Sequence, residues 1–127
     1  MDGKLYFNKE HLWVRVEGNK ATIGVTDHAQ DELGDVLLVE TPGVQKKVQQ
    51  SSSFGQIESA KAVSDLISPV SGTIIEVNEN LEEEPELVNE DPYGKGWIIK
   101  VILEDTGELN NLLSEEEYGQ YLQEECD

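Results

Sequence analysis

Short strand-forming runs, each ended by a glycine or proline turn, follow one another along most of this sequence. Residues 12–17 alternate so that Leu12, Val14 and Val16 share one face, which is the pattern of a half-buried strand. The pair Gly18-Asn19 then predicts a tight turn into a second strand over residues 20–25. Further strands are predicted over residues 36–39, 44–48, 54–59, 63–67 and 73–77, and in a final strand after Gly96. Many short strands separated by turns favour an all-β sandwich or barrel.

Helix signals interrupt the β pattern in three places. Thr26 is placed to cap a short helix that ends at Gly34, because glycine readily adopts the left-handed conformation of a helix terminus. The acidic stretch 78–92 is expected to be irregular, with one helical turn around Leu87-Val88. Ser114 and Glu117 form the capping-box pattern of a C-terminal helix. The apolar stripe of that helix is expected to comprise Leu112, Tyr118, Tyr121 and Leu122, and the final strand is expected to place Trp97, Ile99, Val101 and Leu103 on one face.

Length and charge exclude several functions. The 127 residues suit one domain, assigned to residues 1–127. The formal net charge of −18 argues against binding nucleic acid or an anionic membrane, because both interactions depend on cationic side chains. Residues 82–127 hold 15 acidic and 2 basic residues, a net charge of −13. This acidic third is either a well-solvated surface or a means of guiding encounters with basic partner proteins.

The sequence also predicts the compartment. Cys126 is the single cysteine, so an internal disulfide is excluded and nothing indicates an oxidising compartment. No apolar run approaches the roughly 18 residues of a membrane span. The first residues lack the basic start and apolar stretch of a signal peptide. We therefore expect a cytoplasmic protein, and we expect it to be a monomer.

Candidate catalytic residues are scarce. His11 and His28 lie far apart in the sequence without metal-ligand spacing, and each is expected to be a structural hydrogen-bonding residue rather than a metal ligand. The run 51–53 of three serines is more typical of a turn than of an active site, because no nucleophile elbow accompanies it. The sequence predicts no catalytic residue and no metal site, and the protein is not expected to be an enzyme.

Lys61 stands out by its setting. It lies between Ala60 and Ala62, with predicted strands on both sides, and no basic residue occurs in the 13 positions before it. The flanking strands predict that Lys61 sits at the tip of a hairpin, where small neighbours leave its amine accessible. This setting suits an ordinary solvated lysine and equally suits a covalently attached swinging arm. Position by itself does not decide between them.

The sequence resembles the H protein family of the glycine cleavage system along nearly its whole length. The matching segments, in the family's order and spacing, are HLWV (11–14), ATIGVTDHAQ (21–30), LGD (33–35), ESAKAVSD (58–65), PVSG (69–72), EVN (76–78), PELVN (85–89), PYG (92–94) and GW (96–97). Shorter lipoyl and biotinyl domains share the lysine hairpin but lack the flanking segments. Biotinyl domains also usually have methionines where this chain has Ala60 and Ala62.

The resemblance implies a flattened β-barrel, or barrel-sandwich hybrid, with short helices at its margins and a C-terminal helix. It implies that Lys61 carries lipoic acid in an amide bond and that the protein is a non-catalytic carrier. The implied partners are the pyridoxal-phosphate-dependent glycine decarboxylase, the tetrahydrofolate-dependent aminomethyltransferase, the flavin-containing dihydrolipoamide dehydrogenase and a lipoate-attaching enzyme. In the family, the loaded aminomethyl arm is sheltered in a surface cleft.

The expected cleft departs from the family pattern. The family usually has a glutamate between the histidine and the tryptophan of the first motif, where this chain has Leu12. Glu32 stands where some members have histidine, while Asp65 keeps the family's aspartate after the lysine. The resemblance assigns Glu32, Asp65 and Glu58 to the arm cleft or to recognition. Losing one acid and gaining another leaves the contact with the arm's ammonium group either intact or relocated.

These departures keep alternatives open. H-like carriers serve other lipoate-dependent routes, including a sulfur-oxidising pathway and the relay of lipoyl groups to other proteins. A homologue without lipoate, acting only by binding partners, is the third interpretation.

Overall fold

A computed structural model describes residues 4–126 of the chain, with side chains through residue 124. Within these residues the strands are Lys4–Phe7 (β1), Leu12–Glu17 (β2), Lys20–Val25 (β3), Val36–Glu40 (β4), Lys47–Val48 (β5), Ser53–Ser59 (β6), Val63–Ile67 (β7), Gly72–Val77 (β8) and Ile99–Leu103 (β9). The α-helices are Asp27–Leu33 (α1), Asn80–Glu83 (α2), Leu87–Glu90 (α3) and Glu115–Cys126 (α4), and a 3₁₀ helix spans Thr106–Asn111. None of the helices is long and apolar enough, over the part described, to cross a membrane.

The strands form two antiparallel sheets that bury one face against each other. The larger sheet has the order β1-β2-β3-β9-β8-β5, and the smaller has the order β4-β6-β7. Val14, Ile23 and Ile99 from the larger sheet share one apolar cluster with Ile57 and Leu66 from the smaller. Burial of apolar surface between layers is the dominant stabilising term in such a fold. The predicted all-β class is confirmed, and the helices lie at the margins of the sheets.

The other face of the larger sheet is also covered. Alternation along β2 places Trp13 opposite the main core, as predicted, yet Trp13 is completely buried there. Its indole Nε1 donates a hydrogen bond to the carbonyl oxygen of Pro92 (3.0 Å), and it shares a second apolar cluster with Phe7 and Tyr118. A Cβ on Gly24, its partner in β3, would lie 2.7 Å from the Trp13 ring, so only glycine leaves room for the indole. This second cluster attaches α4 to the sheet.

The predicted caps of the first and the last α-helix are confirmed. The Thr26 hydroxyl accepts a hydrogen bond from the amide of Ala29 (3.1 Å), and Gly34 ends α1 with φ of 76°. In α4, the Ser114 hydroxyl accepts from the Glu117 amide (3.1 Å), and the Glu117 carboxylate accepts from the Ser114 amide (2.9 Å). These reciprocal bonds satisfy amides that the first helical turn leaves without partners.

Three local predictions are wrong. The strand predicted over 44–48 shortens to β5, because Gln45 has φ of 77°, which extended backbone does not allow. Trp97 precedes β9 and packs on the second cluster, so it does not share the face of Ile99. Leu112 packs against the main core, and Leu113 joins the second cluster beside α4 in its place.

Other elements were not predicted. The helical turn around Leu87-Val88 is confirmed as α3, but α2 precedes it across Pro85. The sequence patterns also predicted neither β1 nor the 3₁₀ helix.

Candidate functional site

Lys61 occupies the tip of the hairpin that joins β6 to β7, and it is exposed. Ser59 orders this turn, because its hydroxyl accepts hydrogen bonds from the amides of Lys61 (3.2 Å) and Ala62 (3.1 Å). The Ser59 amide also donates to the carbonyl oxygen of Ala62 (2.8 Å), and the Ala60 amide donates to that of Asp35 (3.0 Å). The hairpin tip is thereby fixed to the body of the protein, and the lysine is presented on an ordered turn.

The Lys61 side chain lies across Gly34 at the end of α1. A Cβ on Gly34 would come within 3.1 Å of the Lys61 Cε atom. Asn89 of α3 holds this backbone in place, since its side-chain amide donates to the carbonyl oxygen of Gly34 (2.7 Å) and its side-chain oxygen accepts from the Val36 amide (2.9 Å). The lysine stem therefore rests on a glycine whose position is set by hydrogen bonds.

A cleft of about 330 Å³ begins beside the lysine, between α1, β7 and the start of β2. Leu33 and Ala62, the neighbours of Gly34 and Lys61, both line it. Buried apolar side chains form its floor, namely Leu12, Val25, Leu33, Ile57 and Leu66. A larger cavity of about 610 Å³ runs along residues 39–44 and 77–82. We assign the site to the smaller cleft, because the amine's neighbours line it and the larger cavity does not include them.

The structure brings three of the four sequence-predicted site residues to this cleft. Glu32 lines it from α1 and Asp65 lines it from β7, and both side chains are exposed. Lys61 stands at its end, as described above. Glu58 does not line the cleft; it is exposed, paired in register with Leu38 of β4 and Val63 of β7. Leu12, which replaces the family's glutamate, is almost fully buried in the cleft floor.

The sequence patterns did not predict that two histidines lie close together at the cleft. His11 and His28 both line the cleft, with ring centroids 4.6 Å apart. The Nδ1 atom of His11 is 2.8 Å from the Tyr118 hydroxyl, which is in turn 2.8 Å from the Thr26 hydroxyl. His11 is thus a hydrogen-bonding residue, as expected. Within the part of the chain that the structure describes, no third His, Cys, Asp or Glu joins the two rings in a group that could hold a metal ion.

The predicted turn at Gly18-Asn19 could have indicated that these two histidines lie close together. Its hairpin register sets Leu12 opposite Val25, so the next pair outward is His11 and Thr26. The Thr26 amide does donate to the His11 carbonyl oxygen (3.0 Å). His28 follows Thr26 by two residues, in the first turn of α1, and its ring packs against that of His11.

Comparison with known proteins decides the family. The family model described as "Glycine cleavage H-protein" matches residues 5–125. This chain belongs to the glycine cleavage H-protein family. Among its relatives, the glycine cleavage system H protein of Rubrobacter xylanophilus is 58% identical over 121 residues, which cover 95% of this chain and 94% of that protein. The glycine cleavage system H protein of Carboxydothermus hydrogenoformans is 53% identical, with 95% and 93% covered.

A mitochondrial protein and a protein of known crystal structure are also similar to this chain. The protein named glycine cleavage system H protein 2, mitochondrial, of Arabidopsis thaliana is 54% identical over 95% of this chain and 78% of its own length. The crystal structure of a glycine cleavage system H protein from Mycobacterium marinum superposes with a TM-score of 0.84 at 37% identity, covering 95% of this chain and 98% of that one. As an H-protein family member, this chain has the barrel-sandwich fold that the resemblance implied.

Proposed function

We propose that this chain is a lipoyl-carrier H protein of the glycine cleavage system, with lipoic acid in amide linkage to Lys61. The observation that carries the proposal is the exposed lysine on a hydrogen-bonded hairpin tip, beside a cleft with an apolar floor. The carrier is a single domain over residues 1–127, monomeric and cytoplasmic. It is a substrate shared by several enzymes rather than a catalyst.

The cleft suits the end of a lipoyl arm. Its volume of about 330 Å³ falls near the lower limit of small-ligand pockets, which span roughly 300–1,000 Å³. The attached group supplies a dithiolane whose sulfur accepts the aminomethyl group of glycine. Lys61 holds the arm through its Nζ atom, and the contact of its side chain with Gly34 directs the stem along the end of α1. Leu12 and Ile57 give the floor an apolar surface that excludes water from the sheltered end.

Three carboxylates give the cleft its charge preference. Glu32 lines the cleft from α1, Asp65 lines it from β7, and Glu10 lines it just before β2. An arm that carries a protonated amine is attracted by all three, whereas the uncharged arm is not. Because Leu12 supplies no carboxylate, we propose that Glu32 takes over the ammonium contact, moving it from the cleft floor to the α1 side. Glu58, which lies outside the cleft, serves recognition.

The proposed partners follow from family membership. They are glycine decarboxylase, the aminomethyltransferase, dihydrolipoamide dehydrogenase and a lipoate-attaching enzyme. Leu12 in the cleft floor favours a second candidate, a carrier of the same chemistry for another lipoate-dependent pathway, since it removes an acid that the family usually has.

Intact-mass analysis tests the attachment. Protein incubated with a lipoate ligase, lipoate and ATP is expected to gain the mass of one lipoyl group. We expect Lys61→Ala to lose this addition, and Lys46→Ala, an exposed lysine in another turn, to retain it. An unmodified wild-type chain, or modification that survives in Lys61→Ala, contradicts the proposal.

Reconstitution tests the pathway. The lipoylated protein is combined with the other three components, and exchange of labelled bicarbonate into glycine is measured. We expect exchange with the wild type. Because Leu12→Glu places a carboxylate in the buried cleft floor, thermal melting establishes that this variant is folded before its exchange is measured. Full lipoylation without exchange in either protein supports the second candidate. Exchange restored only by Leu12→Glu shows that Leu12 prevents glycine cleavage.

A further inference from the structure

Two histidines stand between the cleft beside Lys61 and a second cavity. His28 lines that cleft and also lines a neighbouring outer cavity of about 540 Å³. His11 lines the cleft as well, and its ring contacts that of His28 with centroids 4.6 Å apart. Both side chains are half-buried. The two rings therefore form a partition, with the cleft on one side and the outer cavity on the other.

The outer cavity is a polar space. Asp27 and Asp31 of α1 line it together with Glu115 of α4, and all three side chains are exposed. Carboxylates in a cavity of this size are solvated by water. The partition is thus the boundary between a wet cavity and a cleft whose floor is apolar.

Water at the end of a loaded arm undoes the loading. An aminomethyl group on a lipoyl sulfur is hydrolysed by cleavage of its carbon–sulfur and carbon–nitrogen bonds. One water molecule supplies the oxygen of formaldehyde and gives one proton to the sulfur and one to the nitrogen. The products are the free thiol, formaldehyde and ammonium, with no change of oxidation state. A cleft that shelters the loaded arm must therefore exclude water.

The backbone conformation of His11 is imposed by its surroundings. Its φ of 70° lies in the left-handed region that favours glycine. The Thr26 amide donates to the His11 carbonyl oxygen (3.0 Å). Asn8 orders the preceding loop, because its side-chain oxygen accepts from the amides of Glu10 (3.1 Å) and Leu12 (2.9 Å). Several hydrogen bonds thus fix where the His11 side chain begins.

Tyr118 of α4 fixes the His11 ring itself. Its hydroxyl lies 2.8 Å from the His11 Nδ1 atom and 2.8 Å from the Thr26 hydroxyl. The Thr26 hydroxyl in turn accepts from the Ala29 amide (3.1 Å) in the first turn of α1, the helix that carries His28. One buried phenol hydroxyl therefore joins the two segments that bear the histidines, and the Tyr118 ring lines the outer cavity.

We propose that Tyr118 is a positioning residue that holds the His11–His28 partition closed and so keeps the water of the outer cavity from the end of the lipoyl arm. The inference deepens the proposed function and rests on it for the identity of the arm. The hairpin tip that presents Lys61 is ordered by Ser59 instead. Opening of the partition is therefore expected to spare attachment of the arm.

Release of formaldehyde from the loaded arm tests the partition. Lipoylated protein is reduced, treated with formaldehyde and ammonium chloride to form the aminomethyl group, and freed of reagents by gel filtration. We expect Tyr118→Phe to release formaldehyde about tenfold faster than the wild type, because a buried group that loses its partner opens more often. The initial rate of lipoylation by a lipoate ligase is expected to be unchanged. Tyr121→Phe, the matched change in the same helix, is expected to equal the wild type in both assays.

The chain without lipoate gives a second readout. Diethyl pyrocarbonate acylates accessible imidazoles, and peptide mass spectrometry locates the product. We expect His11 and His28 to be acylated about tenfold faster in Tyr118→Phe than in the wild type or in Tyr121→Phe, because both rings become accessible when the partition opens.

Changes at Thr26 provide an independent pair of variants. Thr26→Val removes the hydroxyl that contacts Tyr118 and is expected to act in the same direction as Tyr118→Phe. Thr26→Ser keeps that hydroxyl and is expected to behave as the wild type, since serine also caps helices. Thermal melting establishes that every variant is folded at the assay temperature, and the Thr26 pair carries the test if Tyr118→Phe is not folded.

The outcomes separate this inference from the proposed function. Wild-type rates of formaldehyde release in Tyr118→Phe overturn the inference and leave the carrier function intact. Faster release without faster acylation of the histidines also overturns it, since water then enters by another route. A lipoylation rate that falls as much as release rises shows a general structural defect instead of a positioning role. A wild-type chain that accepts no lipoyl group overturns the proposed function, and with it the role of the partition in sheltering an arm.

Discussion

Gly34 meets two separate demands at the residue scale. Its backbone φ of 76° and ψ of −155° lie where residues with a side chain are strained, and its missing Cβ leaves space for the Lys61 stem. The sequence predicted the first demand, because glycine after a helical run is a stop signal. It did not predict the second, since nothing in the spacing brings residue 61 to residue 34.

Replacing this glycine tests both demands. We expect Gly34→Ala to lower the free energy of unfolding by about 1–3 kcal/mol through backbone strain. The terminal atoms of Lys61 can move away from the new methyl group, so the steric cost is small. Because the lysine side chain then no longer lies across residue 34, we expect lipoylation to slow. Chemical denaturation and the lipoylation assay measure the two effects.

Gly43→Ala is the matched control. A Cβ on Gly43 meets nothing within 4 Å, and its φ is not positive. We expect its stability to be unchanged or raised by about 0.4–1 kcal/mol, because alanine restricts the unfolded chain. Equal stability of the two variants would show that the Gly34 conformation is not a constraint.

Tyr93 gives the fold a dependence on alkaline pH. Burial raises the pKa of the Tyr93 phenol above its ordinary value of 10.0, and the nearby carboxylates of Asp27 and Glu115 raise it further, while the hydrogen bond from the Asp27 amide acts in the opposite direction. The folded state therefore favours the neutral phenol. Its contribution to stability is complete below about pH 10 and is lost as the pH rises through the folded-state pKa.

Removing the phenol hydroxyl removes this dependence. We expect the free energy of unfolding of the wild type to fall more steeply than that of Tyr93→Phe between about pH 9 and pH 11. Urea denaturation at several pH values across this range measures both curves. Parallel curves would mean that Tyr93 ionises as easily in the folded as in the unfolded chain.

At the scale of elements, Tyr118 joins α4 to the cleft. Its ring stacks on Phe7 with centroids 4.6 Å apart, and its hydroxyl lies 2.8 Å from both the His11 ring and the Thr26 hydroxyl. The tyrosine is 5% exposed, so its hydroxyl has limited access to water. We expect Tyr118→Phe to cost about 1–3 kcal/mol, because buried polar groups lose a partner. Amide hydrogen exchange should quicken in α4 and in the first turn of α1.

The same helix offers a control for that change. The Tyr121 hydroxyl donates a longer bond, 3.3 Å, to the carbonyl oxygen of Lys9 in an exposed setting. We expect Tyr121→Phe to cost less than about 0.5 kcal/mol, since water replaces an exposed partner. A loss confined to α4 in Tyr118→Phe, without change in α1, would show that the hydroxyl does not couple the two helices.

The elements that sequence patterns predicted are those specified locally. The β2–β3 hairpin follows from alternation and one turn, and both helix caps follow from side chains a few residues away. β1 was missed because its Phe7 is buried by Tyr118, which lies 111 positions later in the chain. Trp97 was misplaced because the second apolar cluster, formed by the same distant contacts, receives it in preference to the main core.

The same distinction holds for the candidate site. The position of Lys61 at a hairpin tip was predictable because strand-forming runs flank it. The alternation of β6 likewise places Glu58 on the outside and Ile57 in the core. The resemblance led to Glu32 and Asp65. Sequence spacing does not predict how α1 and α3 pack. The His11–His28 contact and the hydrogen bonds from Asn89 that position Gly34 both depend on that packing.

At the scale of the whole molecule, much of the acidic charge lies on folded surface within the described residues. The residues of the acidic third form the end of α2, all of α3, the 3₁₀ helix and α4, and the central strand β9. Glu82, Glu83 and Glu84 are exposed on and after α2, and Glu115, Glu116 and Glu117 are exposed at the start of α4. Such fixed charges produce a long-range field that accelerates encounters with basic surfaces and adds little to the affinity of the docked complex.

This separation of rate from affinity predicts a specific response to salt. Raising ionic strength from about 20 mM to about 200 mM shortens the Debye length from about 20 Å to about 7 Å, so charges far from the contact cease to act. We expect kcat/KM of the decarboxylase with the lipoylated protein to fall by about tenfold while kcat changes less than about twofold. The triple change Glu82→Gln, Glu83→Gln and Glu84→Gln should lower kcat/KM at low salt and flatten its salt dependence. If kcat/KM were independent of salt, or if kcat fell in proportion, the charge would act on the chemistry or on solubility instead of on the encounter. The carrier would then find its partners by local contact alone.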